Sequence, residues 1–157
     1  LDGFARHGLF DVSVTCRGDL DVDCHHTIED IGIALGTAIK EALGDKAGWA
    51  VRQLHAAMDE TLALCAVDLG GRPYFVYDAE LCRPTSCGGM DTQMAREFFY
   101  AVINSADDES ASEGAAIGEN EPPSSWRAHV QGVAKALDAA TRRDARIDGV
   151  LSTKGTL

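Results

Sequence analysis

The sequence predicts an α+β fold with two tandem αβ blocks that divide near residue 85. Apolar residues recur at helical spacing over residues 27–43, and Gly44 follows where a C-cap glycine belongs, which predicts a helix. Two β-prone runs, residues 62–69 and 74–81, flank a turn-prone GGRP tetrad and suggest a hairpin. Helical patterns return over residues 91–104 and 127–146. Each part of the chain therefore has αβ character.

The remaining segments are predicted from alternation and composition. Residues 9–15 (LFDVSVT) alternate apolar and polar side chains and precede an Arg-Gly-Asp turn, so a strand is expected there, with a short second strand at residues 20–23. Residues 105–125 carry six acidic residues, no basic residue, and Pro122 and Pro123. This composition is typical of a solvated linker.

Composition and charge exclude several classes of function. With 45% hydrophobic residues in 157, the chain can bury a core. The net charge of −11 and the lack of a basic cluster disfavour nucleic acid and anionic membrane surfaces as partners, and no apolar run reaches the roughly 18 residues of a membrane span. The five cysteines have no CxxC spacing, and no secretory leader is recognised, so reduced thiols and a cytoplasmic location are expected.

The residues with the clearest chemistry are the adjacent histidines in CHHTIED, residues 24–30, at the start of the first predicted helix. On a helix, His25 and Glu29 lie one turn apart, as do His26 and Asp30. Because neighbouring helical residues point about 100° apart, the two imidazoles can each face a different metal ion. Mixed nitrogen and oxygen ligands suit manganese, zinc or iron. The alternative is that both histidines only cap or pack the helix start.

Several further segments give the chain a resemblance to imidazoleglycerol-phosphate dehydratases. In order, they are ARHGLFD from residue 5, GDL from 18, HHTIEDIGIALG from 25, EALG from 41, MDE from 58, DLGGRP from 68 and STKG from 152. Together these segments extend over most of the chain.

The resemblance implies a fold, an activity and an assembly. Members have two similar halves, each a four-stranded sheet with two helices, like the second domain of ribosomal protein S5. Here the halves are expected at residues 1–84 and 85–157. Members dehydrate imidazole glycerol phosphate to imidazole acetol phosphate in histidine biosynthesis. They use two Mn²⁺ ions per site, lying between subunits of a homo-oligomeric shell of 24, and the implied reaction passes through an imidazolate.

The resemblance also implies roles for individual residues. His25, His26 and Glu29 correspond to metal ligands of the first half, and Glu97 stands where many members have a second-half histidine ligand. Glu29 and His26 are the expected catalytic residues. His7 and Arg72 correspond to substrate contacts, and the C-terminal phosphate contacts are Ser152, Thr153 and Lys154, whose hydroxyls and ammonium suit a dianion. Without the family role, Arg72 is an exposed turn residue and Lys154 belongs to a solvated tail.

The chain departs from the family pattern in three places. The family pattern includes an earlier segment, with a substrate-binding glutamate and a metal-binding histidine, that is expected just before the residue aligned with Leu1. The second HHxxE motif is expected at residues 122–126, but the chain reads PPSSW within a degenerate stretch at 105–132. Residues 50–53 read AVRQ where the family has Arg-Phe-Gly. Without a second metal motif, the second half as written is not expected to bind metal.

The hypothesis for the last two departures is a reading-frame error, and the alternative is true divergence of these segments. Codons for residues 50–53, read one base later, can encode Arg-Phe-Gly, and the same offset can turn those for 122–124 into His-His. The chain is accordingly predicted to be a hydro-lyase of the family. The alternatives are a frame-damaged copy, a non-catalytic metal-binding relic, or an unrelated acidic interaction domain in which HHxxED is structural.

Overall fold

The computed structural model describes residues 1–44, 52–58, 61–69, 73–78, 86–87, 90–106, 111–117 and 122–147. These residues form four helices: α1 (Asp2–Gly8), α2 (His25–Leu43), α3 (Met94–Ala106) and α4 (Pro122–Ala140). They also form six strands: β1 (Arg52–Met58), β2 (Thr61–Asp68), β3 (Tyr74–Asp78), β4 (Ser86–Cys87), β5 (Met90–Asp91) and β6 (Ala111–Ile117). The predicted α+β class therefore holds for the described residues.

The main sheet has the strand order β1-β2-β6-β3. β2 is antiparallel to both β1 and β6, whereas β3 runs parallel to β6. The predicted strands at 62–69 and 74–81 are present as β2 and β3, but the predicted hairpin between them is wrong because β6 lies between the two. Alternating hydrophobicity identifies a strand and its buried face, but it does not identify the neighbouring strand.

Two further segment predictions need correction. Residues 10–19 form no strand, and residues 20–22 form a turn. The alternating side chains of Phe10 and Val12 pack against the core cluster, but the segment lacks a partner strand among the described residues. The expected linker over residues 105–125 contains β6 and the beginning of α4. Composition failed there because β6 is an inner strand, so tertiary pairing overrides the weak local propensity of ASEGAAI.

The core lies between the main sheet and α4. Along β2, Ala63, Cys65 and Val67 are buried while the residues between them are partly covered, which is the two-residue period of a strand with one face inward. α4 presents small buried residues to β1 and β2, among them Ala128, Ala134, Ala136 and Ala140. These short side chains let the helix lie close to the sheet.

The other helices are added to this core. α1 packs against α4 through the buried Phe4, and α2 packs mainly against α3. α2 ends as predicted at Gly44, whose φ of 62° is unfavourable for residues with a side chain. None of the helices in the described part of the chain combines the length and apolarity that crossing a membrane requires.

The division into halves at residue 84 stays a prediction. β1, β2 and β3 come before that residue and β6 comes after it, yet all four belong to one sheet. The helix α4, with its 19 residues, begins at Pro122, where the second HHxxE motif was expected. α2 begins at the HHxxE motif, and α4 begins where the second one was expected. The first turns of these two helices are therefore the candidate positions for the site.

Candidate metal and substrate site

The candidate site is built on the first turn of α2. The carboxylate of Asp23 accepts a hydrogen bond of 2.9 Å from the backbone N–H of His25, and the backbone N–H of Ile28 donates to the Cys24 carbonyl at 3.0 Å. The Asp23 side chain therefore satisfies one of the N–H groups that a helix start leaves without an intrahelical acceptor. This fixes where the helix begins, and hence the direction of both histidines.

The two imidazoles lie side by side. Their ring centroids are 5.8 Å apart and the ring planes differ by 19°. His25 is half-buried, while His26 and Glu29 are exposed. A nearly parallel pair of accessible imidazoles, with a carboxylate one turn further along, is chemically suited to a first-row metal ion.

The surroundings of the histidines are acidic. Asp19, Asp21 and Asp23 precede them, and Glu29 and Asp30 follow; all five are exposed. A cation placed near the imidazoles is therefore attracted by several carboxylates. The positive end of the α2 dipole opposes this attraction, because both histidines lie in the first turn of the helix.

The loop before α2 lies against its first turn. A Cβ added to Gly18 would overlap the Thr27 side chain, so glycine allows this close contact. A larger residue at position 18 would push the loop and the first turn apart. The loop thus helps to hold His25 and His26 at a defined surface.

Glu97 is on the neighbouring helix, α3, and is half-buried in its first turn. The structure does not gather it with the other predicted ligands: within the described residues, no three His, Cys, Asp or Glu side chains form a group that could hold a metal ion. His25, His26 and Glu29 thus fit a metal as a partial donor set.

His7 lies in the last turn of α1 and is half-buried. The adjacent Arg6 lines a cavity of about 720 Å³ between the helices, together with Ile28, Met94, Trp126 and Arg127. Ile28 belongs to the first turn of α2, so the cavity and the histidine pair share one end of that helix. Sequence reasoning missed Arg6 and Arg127 because no pattern marks an arginine that reaches a cavity.

The other predicted substrate contacts, Arg72, Ser152, Thr153 and Lys154, lie outside the described residues. The degenerate second motif, residues 122–126, occupies the first turns of α4, as His25 to Glu29 occupy those of α2. Trp126 packs with its ring centroid 6.0 Å from that of Phe99. The position where a second carboxylate ligand was expected therefore holds an aromatic contact.

Titratable groups also lie in the interior, away from the histidine pair. A small cavity is lined by Cys65, Tyr77, Phe99 and His129, among others. Burial raises the pKa of the Cys65 thiol to about 11. Burial, and secondarily the nearby Cys65, raises the pKa of the Tyr77 phenol far above its usual range. Both groups stay protonated at neutral pH and belong to the core.

The fold and the histidine pair define an αβ protein with two adjacent imidazoles on the first turn of a helix. A model of the family described as imidazoleglycerol-phosphate dehydratase matches residues 1–137. The imidazoleglycerol-phosphate dehydratase of Citrifermentans bemidjiense is 49% identical over 165 residues, covering 100% of this chain and 80% of that protein. That of Acetivibrio thermocellus is 48% identical, with the same shares covered.

Solved structures agree with the sequence relatives. The Staphylococcus aureus imidazoleglycerol-phosphate dehydratase matches with a TM-score of 0.82 and 30% identity, over 91% of this chain and 80% of that one. The Pyrococcus furiosus enzyme, solved in complex with (S)-C348, matches with a TM-score of 0.83 and 28% identity, over 99% and 82%. The chain belongs to the imidazoleglycerol-phosphate dehydratase family, which are hydro-lyases of histidine biosynthesis.

Proposed function

We propose that the chain dehydrates imidazole glycerol phosphate to imidazole acetol phosphate with divalent metal ions, most simply Mn²⁺, held in part by His25, His26 and Glu29. The observation that carries the proposal is the pair of accessible imidazoles, 5.8 Å apart and nearly parallel, on the first turn of α2. Two bound divalent ions would supply Lewis-acid stabilisation of negative charge on the substrate's ring. Glu97 is the proposed ligand on α3.

The chain's own residues would transfer the proton and orient the substrate. Loss of water removes a hydroxyl group from one carbon and a proton from its neighbour, and the enol so formed tautomerises to the ketone, imidazole acetol phosphate. Glu29 is exposed on the same turn as the histidines, so its carboxylate can take up that proton and return it to the departing hydroxyl. His26, the more exposed imidazole, would orient the ring of the substrate.

The phosphate end of the substrate needs cationic and hydroxyl donors. We assign this role to Arg72, Ser152, Thr153 and Lys154, with His7 as a further substrate contact. An ammonium, a guanidinium and two hydroxyls are the usual partners of a phosphate dianion. With a net charge of −11, the molecule as a whole repels such a substrate, so these donors would have to act locally.

A complete site would require a second subunit. The described residues of one chain supply a partial donor set, with no group of three potential ligands. The proposed active form is therefore a homo-oligomer, such as the family's 24-subunit shell, with a small phosphorylated imidazole compound as its ligand, acting in the cytoplasm.

Substitution of Glu29 tests the proposal, with Glu41 as the matched control. Both are exposed glutamates on α2, separated by three helical turns. Glu29→Gln should lower turnover of imidazole glycerol phosphate by about 100-fold or more, the usual scale for a lost acid–base group, and should weaken Mn²⁺ binding measured by electron paramagnetic resonance (EPR). Glu41→Gln should change neither. Equal turnover in the two variants would refute the assignment.

A second candidate function is metal binding without catalysis. It is favoured by residues 122–126, whose PPSSW sequence offers no usual metal ligand at the start of α4. A chain of this kind would bind Mn²⁺ through His25 and His26 and release no product. Measuring bound Mn²⁺ and product in the same preparation separates the two functions.

A further inference from the structure

We infer that the cavity between the four helices binds a small amphiphilic anion, an organic carboxylate or phosphate ester with an aromatic or branched apolar body. The cavity has a volume of about 720 Å³, and residues of α1, α2, α3 and α4 line it. None of these described lining residues has a metal or substrate role in the proposed function, so the inference goes beyond that function. Trp126 and Arg127, which line the cavity, lie in the stretch that departs from the family pattern, and the resemblance gives them no role.

The interior of the cavity is apolar and aromatic. Phe4 is 4% exposed and Phe99 is 3% exposed, and both line it. The rings of Phe98 and Trp126 pack around Phe99, with centroids 5.4 Å and 6.0 Å from the Phe99 centroid. Aromatic walls of this kind favour contact with a further ring or a branched apolar group. The volume also lies within the range of about 300–1,000 Å³ that is usual for cavities enclosing a small organic molecule.

The edge of the cavity is cationic. Arg6 and Arg127 line it and are both exposed, whereas its described lining residues include no Asp or Glu. The whole chain has 25 acidic residues and 14 basic ones, so a lining with two arginines and no acid is opposite in sign to the rest of the molecule. This edge can therefore attract the anionic group of a ligand despite the negative net charge.

Both guanidinium groups have donors available for a ligand. In the part of the chain that the structure describes, neither Arg6 nor Arg127 forms an ion pair or a side-chain hydrogen bond, although Asp2 lies one turn before Arg6 on α1. A guanidinium binds a carboxylate or phosphate through two parallel N–H donors. Two helix starts add positive potential, because Ile28 in the first turn of α2 and Met94, the first residue of α3, also line the cavity.

Binding of matched probes tests the inference. The probes are 4-phenylbutyrate, 4-phenylbutyl phosphate and the neutral 4-phenyl-1-butanol, and isothermal titration calorimetry with the full chain measures the three affinities. At least one anion should bind about 10-fold or more tightly than the alcohol, because hydrogen bonds to charged groups are stronger than neutral ones. The tighter anion identifies the preferred head group. Added NaCl should weaken binding of the anions more than that of the alcohol.

Arginine variants test the cationic edge. Arg6→Gln and Arg127→Gln should each weaken binding of the preferred anion by about 10-fold, the scale of a lost charged hydrogen bond, and should leave binding of the alcohol unchanged. Arg96→Gln is the matched control, because Arg96 is also exposed, on α3, but does not line the cavity. It should leave all three affinities unchanged.

A variant that fills the cavity tests the apolar interior. Gly3 and Val130 both line the cavity, and a Cβ added to Gly3 would make only an ordinary contact of 3.8 Å with the Val130 Cγ1 atom. Gly3→Leu should therefore fit without a clash and weaken binding of all three probes. Gly3→Ala, which adds a single methyl group, should have a much smaller effect.

The outcomes separate this inference from the proposed function. Failure of both anions to bind, equal affinities for the anions and the alcohol, or full anion affinity in both arginine variants would overturn the anion site. Replacing His25 and His26 by Ala should leave the affinity for the preferred anion unchanged, and its loss would overturn the inference by placing the ligand at the histidine pair. If the same replacement leaves Mn²⁺ binding unaltered, the proposed function fails while the anion site stands.

Discussion

At the scale of single residues, burial decides which titratable groups take part in chemistry. The Cys65 thiol is 2% exposed and its pKa is raised to about 11, whereas Cys16 is exposed. A thiol reacts as the thiolate, so Cys65 should react slowly at neutral pH, because its thiolate is scarce and its access is restricted. His26 and Glu29 of α2, which are exposed, contrast with these interior groups.

The raised Cys65 pKa predicts a loss of stability in alkaline solution. The unfolded thiol loses its proton near pH 9.0 and the folded one near pH 11, so between these values the native state binds more protons. The free energy of unfolding therefore falls as pH rises through this window, by about 2–3 kcal/mol for this group. Urea titrations at pH 8, 9 and 10 measure the slope.

Cys65→Ala provides the control for this pH dependence. The variant has no thiol at that position and should show a shallower decline, with the remainder due to Tyr77, whose pKa is also raised by burial. An unchanged slope in Cys65→Ala would assign the alkaline transition to other groups.

Gly36→Ala should destabilise the protein. The new methyl group would overlap the Val102 carbonyl, and overpacking of this kind costs about 1–3 kcal/mol. Gly3 also lies in a helix, but it is exposed and an added Cβ would make only an ordinary contact. Gly3→Ala should therefore leave the free energy of unfolding unchanged or raise it by up to about 1 kcal/mol. Urea denaturation at pH 7 measures the free energy of unfolding of both variants. Equal values would contradict the close approach of α2 and α3.

At the scale of elements, α2 and α4 are comparable. Both have 19 residues; one starts with His25-His26, and the other with Pro122-Pro123. Proline is well accepted in the first turn of a helix, since no N–H is needed there. The fold thus tolerates a start of α4 that offers no metal ligand.

Restoring ligands to α4 should therefore restore metal binding. The variant Pro122→His, Pro123→His, Trp126→Glu places HHxxE on the first turns of α4 and should increase the Mn²⁺ content per chain. Removing Trp126 also removes its contact with Phe99, so the melting temperature should fall. Metal analysis after gel filtration measures the first effect. A Trp126→Glu single variant is the control for the fall in melting temperature. Unchanged Mn²⁺ content in the triple variant would contradict the prediction.

Sequence reasoning succeeded for elements specified locally. The periodicity over residues 27–43 and Gly44 predicted α2 because amphipathic spacing and a glycine cap are local signals. It failed for β6 and for the neighbours of β2, which depend on pairing between distant segments. For the site, HHxxED predicted the histidine pair on a helix start. No local pattern reveals how closely α2 approaches α3 at Gly32 and Gly36, where an added Cβ would collide with α3 residues.

At the scale of the whole molecule, the net charge bears on the proposed assembly. A net charge of −11 opposes association, and bound divalent cations would offset part of it. Mn²⁺ should therefore promote oligomers: light scattering after gel filtration should give a larger mass with Mn²⁺ than with a chelator. His25→Ala with His26→Ala should remove the difference; a mass insensitive to Mn²⁺ in the unaltered chain would contradict the prediction.

The position of β6 between β2 and β3 has a consequence for synthesis on the ribosome. β3 pairs with β6 and with no other strand of the described sheet. During synthesis it therefore has no partner strand until residue 117 has emerged from the ribosome. A nascent chain halted after α3 would expose the edges of both β2 and β3, which are templates for aggregation. The four-stranded sheet can thus be completed only when the last third of the chain has been released.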